Sequence, residues 1–418
     1  GEGLAEKAAH RLKGLGYTHV EMLRGGLTGW AAAGLELFRD VNVPSKAFGE
    51  WVEDQRHTPS LSAQEVKALL DNKADVVVMD VRRFDEYQTM NIPGSISVPG
   101  GELVLRARAM APNPSTRIVV NCAGRTRSII GTQSLINAGI PNEVNALRNG
   151  TIGWTLAGQA LDKGQSRKFK EVSESTTNEA ATRARSVADR AGVKRANQED
   201  VRIWMKQSER TTYFFDTRTP EEYERSHLPG FRSVPGGQLV QETEMVAPVR
   251  GARIVLVDPS GGGVRANMPA SWLAQMAWEV YVLDEIQSSE LTEQGQWKAP
   301  LPQLPQITTV DANTLSGWLK SDSNTIVVDF STHASYVKGH IPGSWYALRS
   351  QLQDALSKLP KVDRYVLTSN PSELSVFAAE ELKALVDAEV LVLQGGNAAW
   401  ISAGLELEKG ATQLASPP

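Results

Sequence analysis

The 418-residue chain has a single cysteine, Cys122. One thiol can form no internal disulfide, and it rules out cysteine-ligated zinc or iron–sulfur sites of the usual spacing. The six histidines show no paired metal spacing. His333 and His340 lie seven residues apart, but they flank a turn. No apolar run is long enough to span a bilayer. No Gly-x-Ser-x-Gly nucleophile elbow occurs. There is no excess of basic charge: 44 Lys and Arg against 48 Asp and Glu leave a net charge of −4. This argues against a nucleic-acid binder and against a polybasic membrane-surface protein. The chain opens at Gly1 without Met, so a preceding targeting segment is not readable. What is present is ordinary for globular cores, with 41% apolar and 22% charged residues. The length suggests two to four domains.

The sequence repeats itself. One phrase reads Leu23-Arg-Gly-Gly-Leu-Thr-Gly-Trp30-Ala-Ala-Ala-Gly34 and recurs from Leu147 through Trp154 to Gly158 and from Leu393 through Trp400 to Gly404. A second phrase is a β-branched or aromatic run ending in aspartate, with a proline of Ile-Pro-Gly or Leu-Pro-Gly thirteen residues on: Asp80 and Pro93, Asp216 and Pro229, Asp329 and Pro342. The expected organisation is therefore the tail of a truncated unit at 1–40, a full unit at 59–163, a polar helical linker at 165–196, and two further units at 197–300 and 306–410. In each full unit, apolar runs alternate with helical stretches. Such alternation predicts an α/β fold of three-layer units, each a central, mostly parallel sheet with helices on both faces. Ligands in such folds sit at the carboxyl ends of the strands.

In the second unit the run Ile118 to Asn121 ends in Cys122-Ala-Gly-Arg-Thr-Arg-Ser128, where a helix is expected from about Ser128 to Ala138. A loop wrapped into a helix start turns backbone N–H groups inward, and the helix dipole adds positive potential. Gly124 is expected to allow a tight turn, and Ser128 to cap the helix. Arg125 and Arg127 add positive charge that can fork onto an anion. A thiol in that setting is expected to be an accessible, reactive thiolate in an anion cradle.

Asp80-Val-Arg82, Phe84-Asp-Glu86-Tyr87, Ile92-Pro-Gly94, Cys122 to Ser128 and Gly150 to Trp154 together resemble the rhodanese domain, and the resemblance extends over nearly the whole chain as tandem units. It implies a sulfurtransferase of the thiosulfate type. Cys122 would take a sulfane sulfur from thiosulfate or a similar donor, hold it as a persulfide and pass it to cyanide or a thiol. Ala123, Gly124, Arg125, Thr126, Arg127 and Ser128 would bind the anionic donor and the persulfide charge, with Asp80 and Arg82 bracing the loop as a structural ion pair. The family often has His before Ile-Pro-Gly, where this chain has Asn91. Four residues separate Cys122 from Arg127, one fewer than in the related phosphatases and arsenate reductases, which favours a sulfur atom over a tetrahedral phosphate. No cofactor or metal is implied. The partners implied are a small anionic donor and a thiophilic acceptor, with no nucleic acid and no membrane. A homo-oligomer or a missing N-terminal fragment would complete the first unit. A thiol that must stay reduced suits the cytoplasm.

Aligning strand ends puts Asp258 and Ser369 where Cys122 stands, so the third and fourth units are read as non-catalytic. Gly261-Gly-Gly263 imitates a dinucleotide fingerprint but fits a vacated loop better, and a small anion could still sit at Gly261 to Val264. His227 and His340 precede equivalent Pro-Gly turns, and Trp30, Trp154 and Trp400 recur at one position, so both sets read as structural. The alternative to an enzyme is a sulfur-sensing or protein-docking scaffold of rhodanese-like modules.

Overall fold

Short apolar runs alternating with helices fold into three five-stranded sheets in the computed structural model. The structure describes residues 4–14, 16–35, 37, 43–298, 301, 303–321 and 324–417. The chain divides into two compact bodies, Gly1–Trp297 and Lys298–Pro418. The first holds two sheets. One comprises β1 (Ser60–Leu61), β2 (Val76–Asp80), β3 (Ile96–Ser97), β4 (Arg117–Asn121) and β5 (Val144–Leu147) in the order β1-β5-β4-β2-β3. The other comprises β6 (Lys194–Ala196), β7 (Thr212–Asp216), β8 (Arg232–Ser233), β9 (Arg253–Val257) and β10 (Glu279–Leu283) in the order β6-β10-β9-β7-β8. The second body has β11 (Thr309–Val310), β12 (Thr325–Asp329), β13 (Trp345–Tyr346), β14 (Arg364–Thr368) and β15 (Glu389–Leu393) in the order β11-β15-β14-β12-β13. Every strand pairing within these sheets is parallel. The central strands β4, β9 and β14 are buried along nearly their whole length, as continuous apolar runs covered on both faces require.

Register carries the repeat into three dimensions. Asp80 pairs with Asn121, Asp216 with Val257 and Asp329 with Thr368. The next residues, Cys122, Asp258 and Ser369, therefore occupy one structural position at the carboxyl end of the central strand of each sheet, the fourth in sequence. The recurring phrase also keeps its backbone. Gly25, Asn149 and Gly395 all have left-handed φ and precede helices Gly26–Ala32, Gly150–Leu156 and Gly396–Ser402. Trp154 and Trp400 are buried and donate Nε1–H to the carbonyls of Ala160 and Glu406 at 2.8 and 2.9 Å. His227 and His340 stack on Tyr223 and Tyr336 and contact their carbonyls through Nδ1 at 2.8 Å. Asn91 makes the equivalent bond, Nδ2–H to the Tyr87 carbonyl at 3.1 Å.

The stretch expected as a linker, 165–196, is built into the first body. Helix Glu174–Arg190 buries Ala180, Ala184, Val187 and Ala188 against helices Val264–Gln275 and Leu103–Met110, and Lys194–Ala196 pairs with β10 as an edge strand of the second sheet. Its polar composition belongs to the exposed face, while the small residues of the other face let it lie close to both neighbours. The two sheets' domains also meet at Gly100-Gly101 and Gly236-Gly237. A Cβ at Gly237 would stand 2.9 Å from the Gly100 Cα, so the backbones touch there. Trp272 Nε1 donates across the same seam to Ser134 Oγ at 2.8 Å.

Candidate active site

Cys122 leaves β4 into a loop that runs directly into helix Thr126–Asn137. That helix starts two residues before the expected position, with Arg125 rather than Ser128 at its N-cap. Ser128 lies inside the first turn. Its Oγ donates to the Arg125 carbonyl at 2.8 Å and accepts from the Cys122 thiol at 3.5 Å. Ser128 is thus a link between sulfur and loop, because its hydroxyl has a proton to give and lone pairs to receive.

The loop's fold is imposed from behind. Thr151 N–H donates to the Cys122 carbonyl at 2.9 Å and Ile152 N–H to the Ala123 carbonyl at 3.0 Å. With these carbonyls turned outward to the start of helix Gly150–Leu156, the opposite side of the loop presents N–H groups. Among the described residues, no acceptor takes the N–H groups of Gly124, Arg125, Thr126 or Arg127. The last three belong to the helix start, whose first N–H groups have no partner within the helix. Gly150 makes this seating possible. Its φ is +54°, and a Cβ there would stand 2.2 Å from the Cys122 carbonyl oxygen. Gly124, expected to be the glycine the turn needs, has no positive φ, and a Cβ there would meet nothing within 4 Å. The steric demand lies 26 residues further on.

The side chains differ from expectation in two ways. First, the thiol is not open to solvent. Cys122 is 2% exposed and belongs to a buried apolar cluster that includes Val120, Leu103 and Val264. Second, neither guanidinium is free. Arg127, 11% exposed, makes a two-pronged pair with Glu86, Nη1 to Oε2 at 2.6 Å and Nη2 to Oε1 at 2.9 Å. Burial alone would raise the Glu86 carboxyl, but the bonds and charge of Arg127 outweigh it and hold the carboxyl below its usual range. Arg125 donates Nε–H to Glu50 at 2.8 Å and Nη2–H to Glu53. Both carboxylates come from helix Pro44–Arg56, which the sequence did not connect with the loop.

Beneath the loop, Asp80 is fully buried. It accepts from Arg82 Nε at 2.9 Å, Arg82 Nη2 at 2.7 Å and Asn121 Nδ2 at 2.8 Å. The last bond ties the strand-end aspartate to the residue preceding Cys122. Arg82 also donates to the Met90 carbonyl at 2.6 Å.

The equivalent loops of the other two sheets hold their own occupants. In the second sheet the Asp258 carboxylate accepts from Gly261 N–H at 3.0 Å and Arg265 N–H at 2.9 Å, and from the Arg265 side chain at 2.9 Å. The small-anion site expected at Gly261 to Val264 is therefore filled by the protein's own carboxylate. Arg265, fully buried, also pairs with Glu222 and with Glu102 of the first sheet's domain at 3.0 Å. In the second body, Ser369 Oγ accepts from Ser375 N–H at 3.0 Å and donates to the Pro371 carbonyl at 2.6 Å. Asp329 there accepts from Asn397 Nδ2 at 2.8 Å in place of an arginine. Among the described residues, no cluster of His, Cys, Asp or Glu could hold a metal ion, and no helix is long and apolar enough to cross a membrane.

A family model described as "Rhodanese-like domain" matches residues 62–157, 198–285 and 311–403. The chain is 61% identical to a thiosulfate sulfurtransferase from Pseudomonas aeruginosa of known crystal structure, with a TM-score of 0.95, covering 100% of this chain and 79% of that one. It is 27% identical over 103 residues to the Bacillus subtilis protein YrkF, covering 25% of this chain and 54% of that protein. It is 33% identical over 90 residues to an HTH-type transcriptional regulator of Mycobacterium tuberculosis, covering 22% of this chain and 39% of that protein. The chain thus spans about half or less of these two curated relatives.

Proposed function

The chain belongs to the rhodanese-like domain family, and on that premise we propose that it is a sulfurtransferase working through a persulfide on Cys122. The Cys122 thiolate attacks the outer sulfur of thiosulfate. A sulfur–sulfur bond forms to Sγ, the bond from that sulfur to the sulfonate breaks, and sulfite leaves with the electron pair. Cyanide or a thiolate then attacks the outer sulfur of the persulfide, the new bond is made to the acceptor, and Cys122 departs as thiolate. No net oxidant or reductant is needed.

One observation carries this reading. Three loops at one structural position each lead into a helix start, and in two of them a protein oxygen accepts N–H groups there, the Asp258 carboxylate and the Ser369 hydroxyl. In the third the residue at that position is a thiol, and N–H groups of the helix start have no protein acceptor among the described residues. A persulfide on Cys122 extends one sulfur atom further into that ring of donors, where its negative charge is stabilised at no cost in reorganisation. The seclusion of Sγ fits transfer of a single atom better than attack by a bulky group. Ser128 holds the sulfur's orientation, Asp80 and Arg82 hold Asn121 and thereby the loop entry, and Arg125 and Arg127 set the charge around it. The likeness to a thiosulfate sulfurtransferase supports the same donor class here. Asp258 and Ser369 cannot carry sulfane sulfur, so the second and third sheets serve structural or partner-binding roles in this proposal. The cytoplasm is the proposed location.

The test is thiosulfate-dependent formation of thiocyanate from cyanide. The wild-type chain is expected to turn over and Cys122→Ala to lose all activity above background. Wild-type turnover in Cys122→Ala would overturn the assignment.

A further inference from the structure

Helix Pro44–Arg56 lies outside the residues the family model matches, 62–157, yet it packs on the catalytic loop. It is fixed there. Gly49 lies against Thr126, where a Cβ would stand 2.6 Å from Thr126 Cγ2. Val52 is buried in a cluster with Ile129, Val240 and Trp272. At the helix start, Ser45 N–H donates to Glu244 at 2.6 Å, and Ser45 Oγ donates to the Gln241 carbonyl at 2.6 Å. This seating delivers Glu50 and Glu53 to Arg125, the more exposed of the two loop arginines.

The charge count matters. Arg127 and Glu86 cancel. Arg83, which also approaches Glu86, is offset by Asp85, and Arg125 meets two carboxylates, so the seven paired groups sum to −1 before the thiolate is counted. Two of the N–H directions Arg125 could offer an oxyanion are already committed. A doubly charged donor therefore enters against a local negative charge and competes with two carboxylates for one guanidinium.

We infer that Glu50 and Glu53 are specificity-determining residues, acting through Arg125 to disfavour doubly charged sulfur donors relative to donors of lower charge. The inference rests on the sulfur-transfer reading and adds the charge class of the preferred donor. Coulomb energy scales with the donor's charge, so the penalty for thiosulfate is about twice, in free energy, that for a monoanionic thiosulfonate.

The test replaces both residues with glutamine in the full chain, which removes the charges while a side-chain carbonyl still accepts from Arg125. Steady-state rates are compared with thiosulfate and with methanethiosulfonate as donor and cyanide as acceptor. The expected result in E50Q/E53Q is a KM for thiosulfate lowered about tenfold, a KM for methanethiosulfonate lowered about threefold, and both gains shrinking in roughly 0.5 M salt as screening takes over. kcat is expected to stay within about twofold, since cancelling a field at the mouth leaves the loop amides as they are. Glu50→Gln alone is expected to give an intermediate shift. An unchanged or raised KM for thiosulfate, or equal shifts for both donors, would overturn the inference. Incubation of wild-type protein with thiosulfate separates the two levels. No sulfur on Cys122 defeats the sulfur-transfer reading itself, whereas sulfur on Cys122 with unaltered KM values defeats only the role of Glu50 and Glu53.

Discussion

Gly150→Ala is expected to be far more damaging than Gly124→Ala, although only Gly124 lies in the cysteine loop. At position 150 an alanine adopts φ of +54°, a left-handed conformation that costs an L-residue about 1 kcal/mol. Its Cβ then stands 2.2 Å from the Cys122 carbonyl oxygen and 2.8 Å from the Ala123 carbonyl carbon. Both contacts are backbone, so neither can rotate away. Relief requires the helix Gly150–Leu156 to draw back, breaking Thr151 N–H to Cys122 O and Ile152 N–H to Ala123 O, each worth about 1 kcal/mol net. The sum is about 3 kcal/mol. At roughly 2–3 °C per kcal/mol for a body of this size, calorimetry is expected to find its transition lowered by about 6–9 °C. Activity is expected to suffer more than stability, because the retreating helix releases the carbonyls that aim the loop amides. A fall in kcat/KM of at least about tenfold follows if one such donor is misplaced. Gly124→Ala meets open space and is expected to change stability by no more than about 0.5 kcal/mol. A Gly150→Ala protein with wild-type melting and turnover, or a Gly124→Ala protein more impaired than Gly150→Ala, would refute the reasoning.

Arg265→Met leaves Asp258 buried without its guanidinium and Glu102 with Arg106 alone, and a broken buried pair costs about 3–5 kcal/mol, so chemical denaturation of the full chain is expected to show a loss of that size; a loss under about 1 kcal/mol would mean the network is not what joins the two sheets' domains. Burial alone would raise Glu222, but the bonds and charge of Arg265, with Ser260 and Thr219, bring its carboxyl to about 2. Because the folded value lies below the unfolded one, its contribution is complete above about pH 4.5 and is lost as pH falls toward 2. Melting curves of Glu222→Gln between those pH values are expected to be flatter than those of the wild type, and parallel curves would contradict the assignment.

Much of the fold was written in local phrases. The offset from Asp80 to Pro93 and its two copies, and the Leu-to-Gly phrase at 147–158, survive as matched register and matched left-handed backbone because each depends on residues close in sequence. What escaped sequence reading depends on contacts across long separations. Glu50 and Glu53 reach Arg125 from more than seventy residues away, on a helix whose own pattern says only that one face is buried. Gly150 looked like part of a repeated turn, and nothing local says that its hydrogen fills the space behind Cys122. A signal for Glu86 did exist. It lies six residues after Asp80, as Glu222 lies six after Asp216, and each binds the loop arginine of its own domain. At the same offset after Asp329 stands Ser335, and Leu374 takes the place of Arg127, so the fourth unit lost both members together. The arginines were legible as charge but not as charge already answered by carboxylates, because ion pairing is settled by the fold. The polar stretch before Lys194 misled for a related reason: its exposed face dominates the composition, while four small apolar residues decide where it packs.

The most direct measurement is intact-protein mass spectrometry after brief incubation with thiosulfate, followed by peptide mapping and then by cyanide. The account predicts a gain of one sulfur atom, located on Cys122 and removed by cyanide with formation of thiocyanate. A chain that turns thiosulfate and cyanide over while Cys122 never carries the extra sulfur would contradict it.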